Sequence, residues 1–88
     1  MAANTVNDIN RVCNEIKDLL MEKNLAYGDS ALDPVRVFSK ADASEQIRVR
    51  IDDKLSRFAK GREYPGDNDI NDLIGYLILL KIAKERNG

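Results

Sequence analysis

An almost unbroken apolar run at residues 73–80 (LIGYLILL) constrains the fold of this 88-residue chain more than any other feature. Drawn as a helix, the run is apolar nearly all round, so it must be covered on more than one side. It is far too short to span a bilayer, which argues against a membrane protein. Gly75 within it costs about 1 kcal/mol relative to alanine, and the close approach of another helix is the expected reason. Two partner helices of modest length cannot cover the run fully, so we expect assembly through helices into a dimer or larger oligomer.

Helical periodicity elsewhere predicts one all-α domain, residues 1–88, with a three-helix bundle-like protomer. The first helix is expected at about residues 5–23, with Thr5 as its cap and Asn24 as its stop. The second is expected at about 43–60, capped by Asp42 or Ser44 and ended by Gly61. The third is expected at about 67–86, after a tight turn at residues 64–67. The predicted buried stripes are Val6, Ile9, Cys13, Ile16 and Leu20 on the first helix, and Ile47, Ile51, Leu55 and Phe58 on the second.

The composition excludes some classes of function. The chain has fourteen basic and fifteen acidic residues, whereas domains that bind duplex nucleic acid are usually strongly basic. The single cysteine, Cys13, suits a reducing compartment, and its place on an apolar stripe favours a buried side chain over a reactive thiol. No signal peptide is visible, so a cytoplasmic location is expected, in the host if a phage encodes the chain. Histidine is absent, so catalysis would need carboxylates, lysine, tyrosine or a hard metal ion.

Basic residues lie along one edge of the second predicted helix. Arg50, Lys54 and Arg57 share one side at i, i+4 and i+7, next to the apolar stripe. Cations at the edge of a core are well placed to line a pocket and contact phosphate oxygens. The alternative is a solvated row paired along the helix with Asp53.

Acidic residues at the start of the third helix suggest a metal site. Asp69, Asp72 and Tyr76 share one face, and two carboxylates one turn apart commonly hold Mg²⁺. Glu15 or Asp53 would complete the shell, and the metal would orient a diphosphate and activate water. The alternative is that acids in a first helical turn simply interact with the helix dipole and act as caps.

Residues 25–42 are expected to form an ordered loop, and loops of this length inside a small domain are often functional. Tyr27, Gly28, Asp29 and Ser30 have turn chemistry, in which Gly28 tolerates a positive φ. The tyrosine could stack on a base while Asp29 and Ser30 contact a sugar. A turn anchored by a buried tyrosine is the alternative.

Three segments in order carry a resemblance to a known family. They are KN..YGDS at residues 23–30, R.DDKL.R at residues 50–57 and D..DL.GY at residues 69–76. This pattern resembles the small phage and bacterial proteins of the nucleotide-modification-associated domain family, which are in turn similar to the MazG-like all-α nucleotide pyrophosphohydrolases. The resemblance covers roughly residues 20–82. It implies a nucleotide ligand, Mg²⁺ as cofactor, and sites near the subunit interfaces of a helical assembly.

The resemblance points to the loop residues, to Asp53, Lys54 and Arg57, and to the acids of the third helix. The second helix departs from the MazG-like pattern, because Glu45-x-x-Arg48 stands where that family has an acid pair. Three functions therefore stay open at this point. They are a magnesium-dependent nucleotide pyrophosphohydrolase, a protein that sequesters a nucleotide such as a cyclic defence signal without cleaving it, and a helical protein-interaction module.

Overall fold

The structure, a computed structural model, describes residues 4–61 and 68–86, and the predicted turn at 64–67 lies outside this part of the chain. Within it the chain is all-α, as predicted, with three helices: α1 at Thr5–Ala26, α2 at Ala43–Lys60 and α3 at Asp69–Arg86. None of the helices described is long and apolar enough to cross a membrane.

The helix ends follow local capping chemistry. Asp42 accepts a hydrogen bond from the Glu45 backbone N–H at 2.9 Å, and Gly61 ends α2 with a φ of 64°, both as predicted. Asn4, and not Thr5, caps α1 by accepting from the Asn7 N–H at 3.1 Å. The predicted stop at Asn24 is also wrong, because the helix continues to Ala26. Asparagine tolerates a helix interior, whereas the glycine that can end the helix comes four residues later.

Helices α2 and α3 form an antiparallel pair that contains the core. Ile47 of α2 packs with Leu79 and Ala83 of α3, and Ile47 is only 1% exposed. At the other end of the helix pair, where α3 begins, Lys54 of α2 forms ion pairs with Asp69 and Asp72 of α3. The predicted α2 stripe is only partly right, because Leu55 and Phe58 are about half exposed at 49% and 45%. The face that α2 turns to α3 passes through Lys54 in place of Leu55.

Only the second half of α1 joins this pair. Leu20 lies against Gly75 of α3 and Lys23 reaches Asp72, so the two helices run antiparallel there. A β-carbon at Gly75 would lie 3.4 Å from Leu20 Cδ1, an ordinary contact, so the glycine is close to α1 but still leaves room for a methyl group. Ile16 is the buried residue of α1.

The first half of α1 is exposed to solvent, contrary to the sequence prediction. Val6, Ile9 and Cys13 belong to the predicted buried stripe, yet all three are exposed in the protomer. The spacing correctly identified an apolar face, but periodicity alone does not say which element covers that face. The third helix is likewise only partly covered, with Leu77 49% and Ile78 38% exposed.

Candidate functional site

A groove of about 610 Å³ lies between the C-terminal half of α1, the following loop, the start of α2 and the first half of α3. Its volume falls in the range of small-molecule sites. Apolar side chains such as Ile16, Leu20 and Leu79 form part of its wall. Its polar and aromatic lining consists of Lys23, Asn24, Tyr27, Ser30, Gln46, Arg50, Asn71, Asp72 and Tyr76.

The turn after α1 forms one wall of the groove. The Tyr27 N–H donates to the Lys23 carbonyl at 2.9 Å, and the chain then turns through Gly28 and Asp29, whose φ values are 64° and 61°. Glycine adopts this left-handed conformation without strain, and aspartate is among the few other residues that visit it. The Asp29 N–H donates to the Asn24 carbonyl at 3.1 Å, which fixes the turn against the helix end. Tyr27 and Ser30 consequently line the groove.

A network of ion pairs lies beside the groove. Lys54 Nζ is 3.2 Å from Asp69 Oδ1 and 3.0 Å from Asp72 Oδ2, and Asp72 Oδ1 is 3.1 Å from Lys23 Nζ. Arg57 Nη1 adds a longer contact of 3.7 Å to Asp69. The side chains of Lys54, Asp69 and Asp72 are only 10%, 6% and 16% exposed. A charge this well buried must be paired, and each of these is.

The network shifts the pKa of two of its members. Burial acts to lower the pKa of Lys54, but the hydrogen bonds to Asp72 and Asp69 outweigh it, so the pKa is raised above its ordinary value. Burial acts to raise the pKa of Asp72, but the hydrogen bonds from Lys54 and Lys23 outweigh it, so this pKa is lowered. Both shifts favour the charged forms, which keeps Lys54 and Asp72 ionised at neutral pH.

The structure brings together some of the sequence-predicted site residues. Tyr27, Ser30, Arg50, Asp72 and Tyr76 line the groove. Tyr27 is 70% exposed, so the alternative of a turn anchored by a buried tyrosine is wrong.

Other predicted residues lie outside the groove. Gly28 and Asp29 shape the turn, while Lys54, Arg57 and Asp69 form the adjacent network. The predicted pairing along α2 is present between Arg57 and Asp53, at 3.8 Å.

The acids predicted to bind Mg²⁺ are arranged around a different cation. The Lys54 ammonium group lies within 3.2 Å of both Asp69 and Asp72, and together with Lys23 and Arg57 it offsets their charge. Glu15 pairs with Arg11 at 3.1 Å on the exposed first half of α1. In the part of the chain that is described, no three acidic or cysteine side chains are grouped to hold a metal ion. With Asp69 and Asp72 both engaged by Lys54, the residues as arranged offer no free acid pair to a magnesium ion.

Sequence reasoning missed several residues of the site. Lys23, Asn24, Gln46 and Asn71 line the groove but were not predicted as site residues. Lys54 was assigned to a ligand, whereas it is buried against Asp69 and Asp72. One signal could have found it: Lys54 follows Ile47 by seven residues, two helical turns, and so lies on the same face as the core.

Comparisons with known proteins add no relative. No protein-family model, curated protein or solved structure matches the chain. The resemblance to the nucleotide-modification-associated domain family, with its MazG-like relatives, therefore stays a prediction, and the functional argument depends on the geometry of the groove.

Proposed function

We propose that the chain binds a phosphorylated small molecule, a nucleotide in the first instance, in the groove and holds it without cleaving it. The observation that carries this proposal is Arg50. It lines the groove, it is exposed, and it makes no ion pair with any residue in 4–61 or 68–86. An unpaired guanidinium at the edge of a groove is ready to receive phosphate oxygens through two parallel hydrogen bonds.

The charge around Arg50 supports an anionic ligand. Among the described residues, Lys23 is the other cation that lines the groove, and Asp72 is the one acid of the lining. Asp72 is paired with both Lys23 and Lys54 at 3.0–3.1 Å, so its negative charge is already compensated. A phosphate entering near Arg50 would thus meet a groove with a net positive lining.

The aromatic and amide lining supports a nucleotide over a bare phosphate. Tyr27 presents most of its ring to solvent at the groove edge, which suits stacking on a base. Tyr76 supplies a second ring from α3. Asn24, Asn71 and Ser30 provide donors and acceptors that suit a sugar or base edge. The groove thus contains the few polar groups on an apolar wall that are usual for small-molecule sites.

Holding is favoured over hydrolysis by the position of Lys54. A magnesium-dependent pyrophosphohydrolase needs carboxylates free to bind the metal, and Asp69 and Asp72 are both held by this ammonium group. A lysine in that place provides a fixed positive charge beside the groove, but it cannot activate a water molecule for hydrolysis as a bound metal ion can. We accordingly propose the sequestering function over the enzymatic one.

Calorimetry with the full chain tests this function. The titrants are nucleoside triphosphates and cyclic di- and oligonucleotides, each with Mg²⁺ and with EDTA, and the ligand is recovered afterwards for chromatography. We expect binding that EDTA leaves unchanged and a ligand recovered intact. Turnover that requires Mg²⁺ would instead establish the enzymatic function, and no binding of any titrant would remove the nucleotide proposal.

We also propose that the chain works as a homo-oligomer. The α3 residues Ile70, Leu77 and Ile78 are 58%, 49% and 38% exposed in the protomer. Scattered exposed apolar residues are normal on a monomer, but a row along one helix is typical of an interaction surface. This favours helix-mediated assembly, and sedimentation measurements give the number of copies.

A further inference from the structure

The first half of α1 has an apolar face that no other residue of the described structure covers. Val6, Ile9 and Val12 are 75%, 58% and 39% exposed, and Cys13 is exposed beside them. Residues 6, 9, 13 and 16 are spaced three, four and three apart and so lie on one side of the helix. Ile16, the last of them, is only 5% exposed. One apolar stripe therefore starts in the folded body and continues for nearly three turns into solvent.

Helix propensity gives little support to these three turns. Among residues 5–15, only Arg11 and Glu15 are strong helix formers, and the rest are asparagine, aspartate, threonine, cysteine and β-branched residues. The packed second half of α1 nucleates the helix, but weak helix formers gain little from its propagation into solvent. The helix nevertheless begins at Thr5 with an Asn4 cap. Packing of the apolar face against a partner is the stabilisation that this segment lacks.

The shape of the protomer also indicates a missing partner. Its accessible surface of 7002 Å² is about 1800 Å² larger than a compact monomer of 9.9 kDa exposes. Its radius of gyration is 14.9 Å, against about 12 Å for a compact domain of this length. A standard protein interface buries about 800 Å² on each partner, and obligate dimers bury more. The excess is spread over the whole protomer, and its size is comparable to the area that a dimer interface covers.

We propose that this α1 face, defined by Val6, Ile9, Val12 and Cys13, pairs with the same face of a second copy of the chain. A stripe with alternating spacings of three and four is the seam through which two helices pack side by side. The face carries no charge, so two copies meet without repulsion, as is usual in interface centres. A two-fold dimer requires only that one surface complement itself.

The charges of this segment lie on the other side of α1. Arg11 pairs with Asp8 at 3.8 Å and with Glu15 at 3.1 Å, and all three side chains are more than half exposed. At 100° per residue Arg11 lies opposite the stripe, and Asp8 and Glu15 lie about 40–60° beyond its Val12 edge. They would remain in solvent after pairing, so the dimer buries no unpaired charge. The pairing does not depend on whether the groove binds a ligand.

Sedimentation of the full chain tests the pairing. We expect the wild-type protein at twice its 9.9 kDa mass, or at a higher even multiple if α3 also forms a contact. Ile9→Glu should raise the dimer dissociation constant at least about 30-fold, because an anchor residue is lost and two-fold symmetry places the change in the interface twice. Asn7→Glu is the control, since it places the same acid on the opposite side of the same helix. An equal mixture of Ile9→Glu and Ile9→Lys should recover the dimer.

A monomeric wild-type chain at about 100 µM would overturn the proposal, because interfaces of standard size bind more tightly than that. A dimer that Ile9→Glu leaves unchanged would overturn it too, since the contact would then lie elsewhere, for example on α3. If both Ile9 variants lose helix, the mixture still decides: restored helicity and mass support the pairing, and no restoration contradicts it.

The single cysteine gives a second test that needs no substitution. Cys13 lies on the proposed face and is exposed in the protomer. Its rate of reaction with a maleimide should fall at least about 10-fold as protein concentration rises through the dimer dissociation constant, because access to the thiol governs its labelling. A rate that does not change with concentration while the mass doubles would place the interface away from α1.

Discussion

Removing the Lys54 ammonium group should destabilise the fold strongly. Lys54→Met keeps the length of the side chain but leaves the carboxylates of Asp69 and Asp72 without their shared partner. Breaking a buried ion pair by removing one side costs about 3–5 kcal/mol, because the other charge stays buried. Lys23 and Arg57 remain at 3.1 and 3.7 Å, so we expect a loss near the lower end, about 3 kcal/mol.

A loss of about 3 kcal/mol is a large part of the free energy of unfolding of this domain. A domain of this size has a free energy of unfolding of roughly 4–13 kcal/mol. The assay is urea unfolding followed by circular dichroism, at one protein concentration so that any self-association contributes equally. The control is Lys81→Met, since Lys81 and Glu85 form an exposed pair at 3.0 Å, and its loss should cost less than about 0.5 kcal/mol.

A rescue variant separates charge from packing. Adding Asp69→Asn and Asp72→Asn to Lys54→Met removes the unpaired charges and should recover at least half of the lost stability. If Lys54→Met costs no more than the Lys81→Met control, or if the two asparagines recover nothing, the ion-pair reasoning is wrong.

Three further predictions concern pH, packing and metal. Because its folded pKa is lowered, Asp72 contributes stability above its ordinary value of 3.8, and this is lost as pH falls through the lowered pKa. Lys54, whose folded pKa is raised, contributes stability below its ordinary value of 10.5, and this stability is lost as pH rises through the raised pKa. The free energy of unfolding from urea titrations should therefore show a plateau between these limits, and in Asp72→Asn it should fall less steeply with pH on the acid side. Gly75→Ala should raise the free energy of unfolding by up to about 1 kcal/mol, because a β-carbon 3.4 Å from Leu20 is tolerated, whereas Gly75→Leu should lower it. EDTA should leave the melting temperature of the free protein unchanged; a drop would show that a metal stabilises the fold.

The sequence predicted the helices well because their signals are local. The span of α2 follows from the Asp42 cap and Gly61, and both act within a few residues of the helix end. The start of α1 at Thr5 was predicted correctly, but its capping residue and its C-terminal end were missed, because asparagine serves both as a cap and as an interior residue.

The site was predictable only in part, because it depends on which faces meet. Arg50, Tyr27 and Tyr76 were identified from residue type and spacing, and they do line one groove. The role of Lys54 was not identifiable in this way, since a lysine suits both a phosphate site and a buried ion pair. The choice depends on where α3 places Asp69 and Asp72, which is tertiary information.

Calorimetry on two arginine variants tests the central claim most directly. Arg50 lines the groove, whereas Arg48, two residues earlier on α2, is paired with Glu45 at 2.6 Å and is not among the lining residues. For whichever nucleotide binds best, Arg50→Ala should weaken binding at least about 10-fold, the effect of losing charge-assisted hydrogen bonds to phosphate, while Arg48→Ala should leave it unchanged. Equal effects of the two substitutions, or none from Arg50→Ala, would contradict the groove as the binding site.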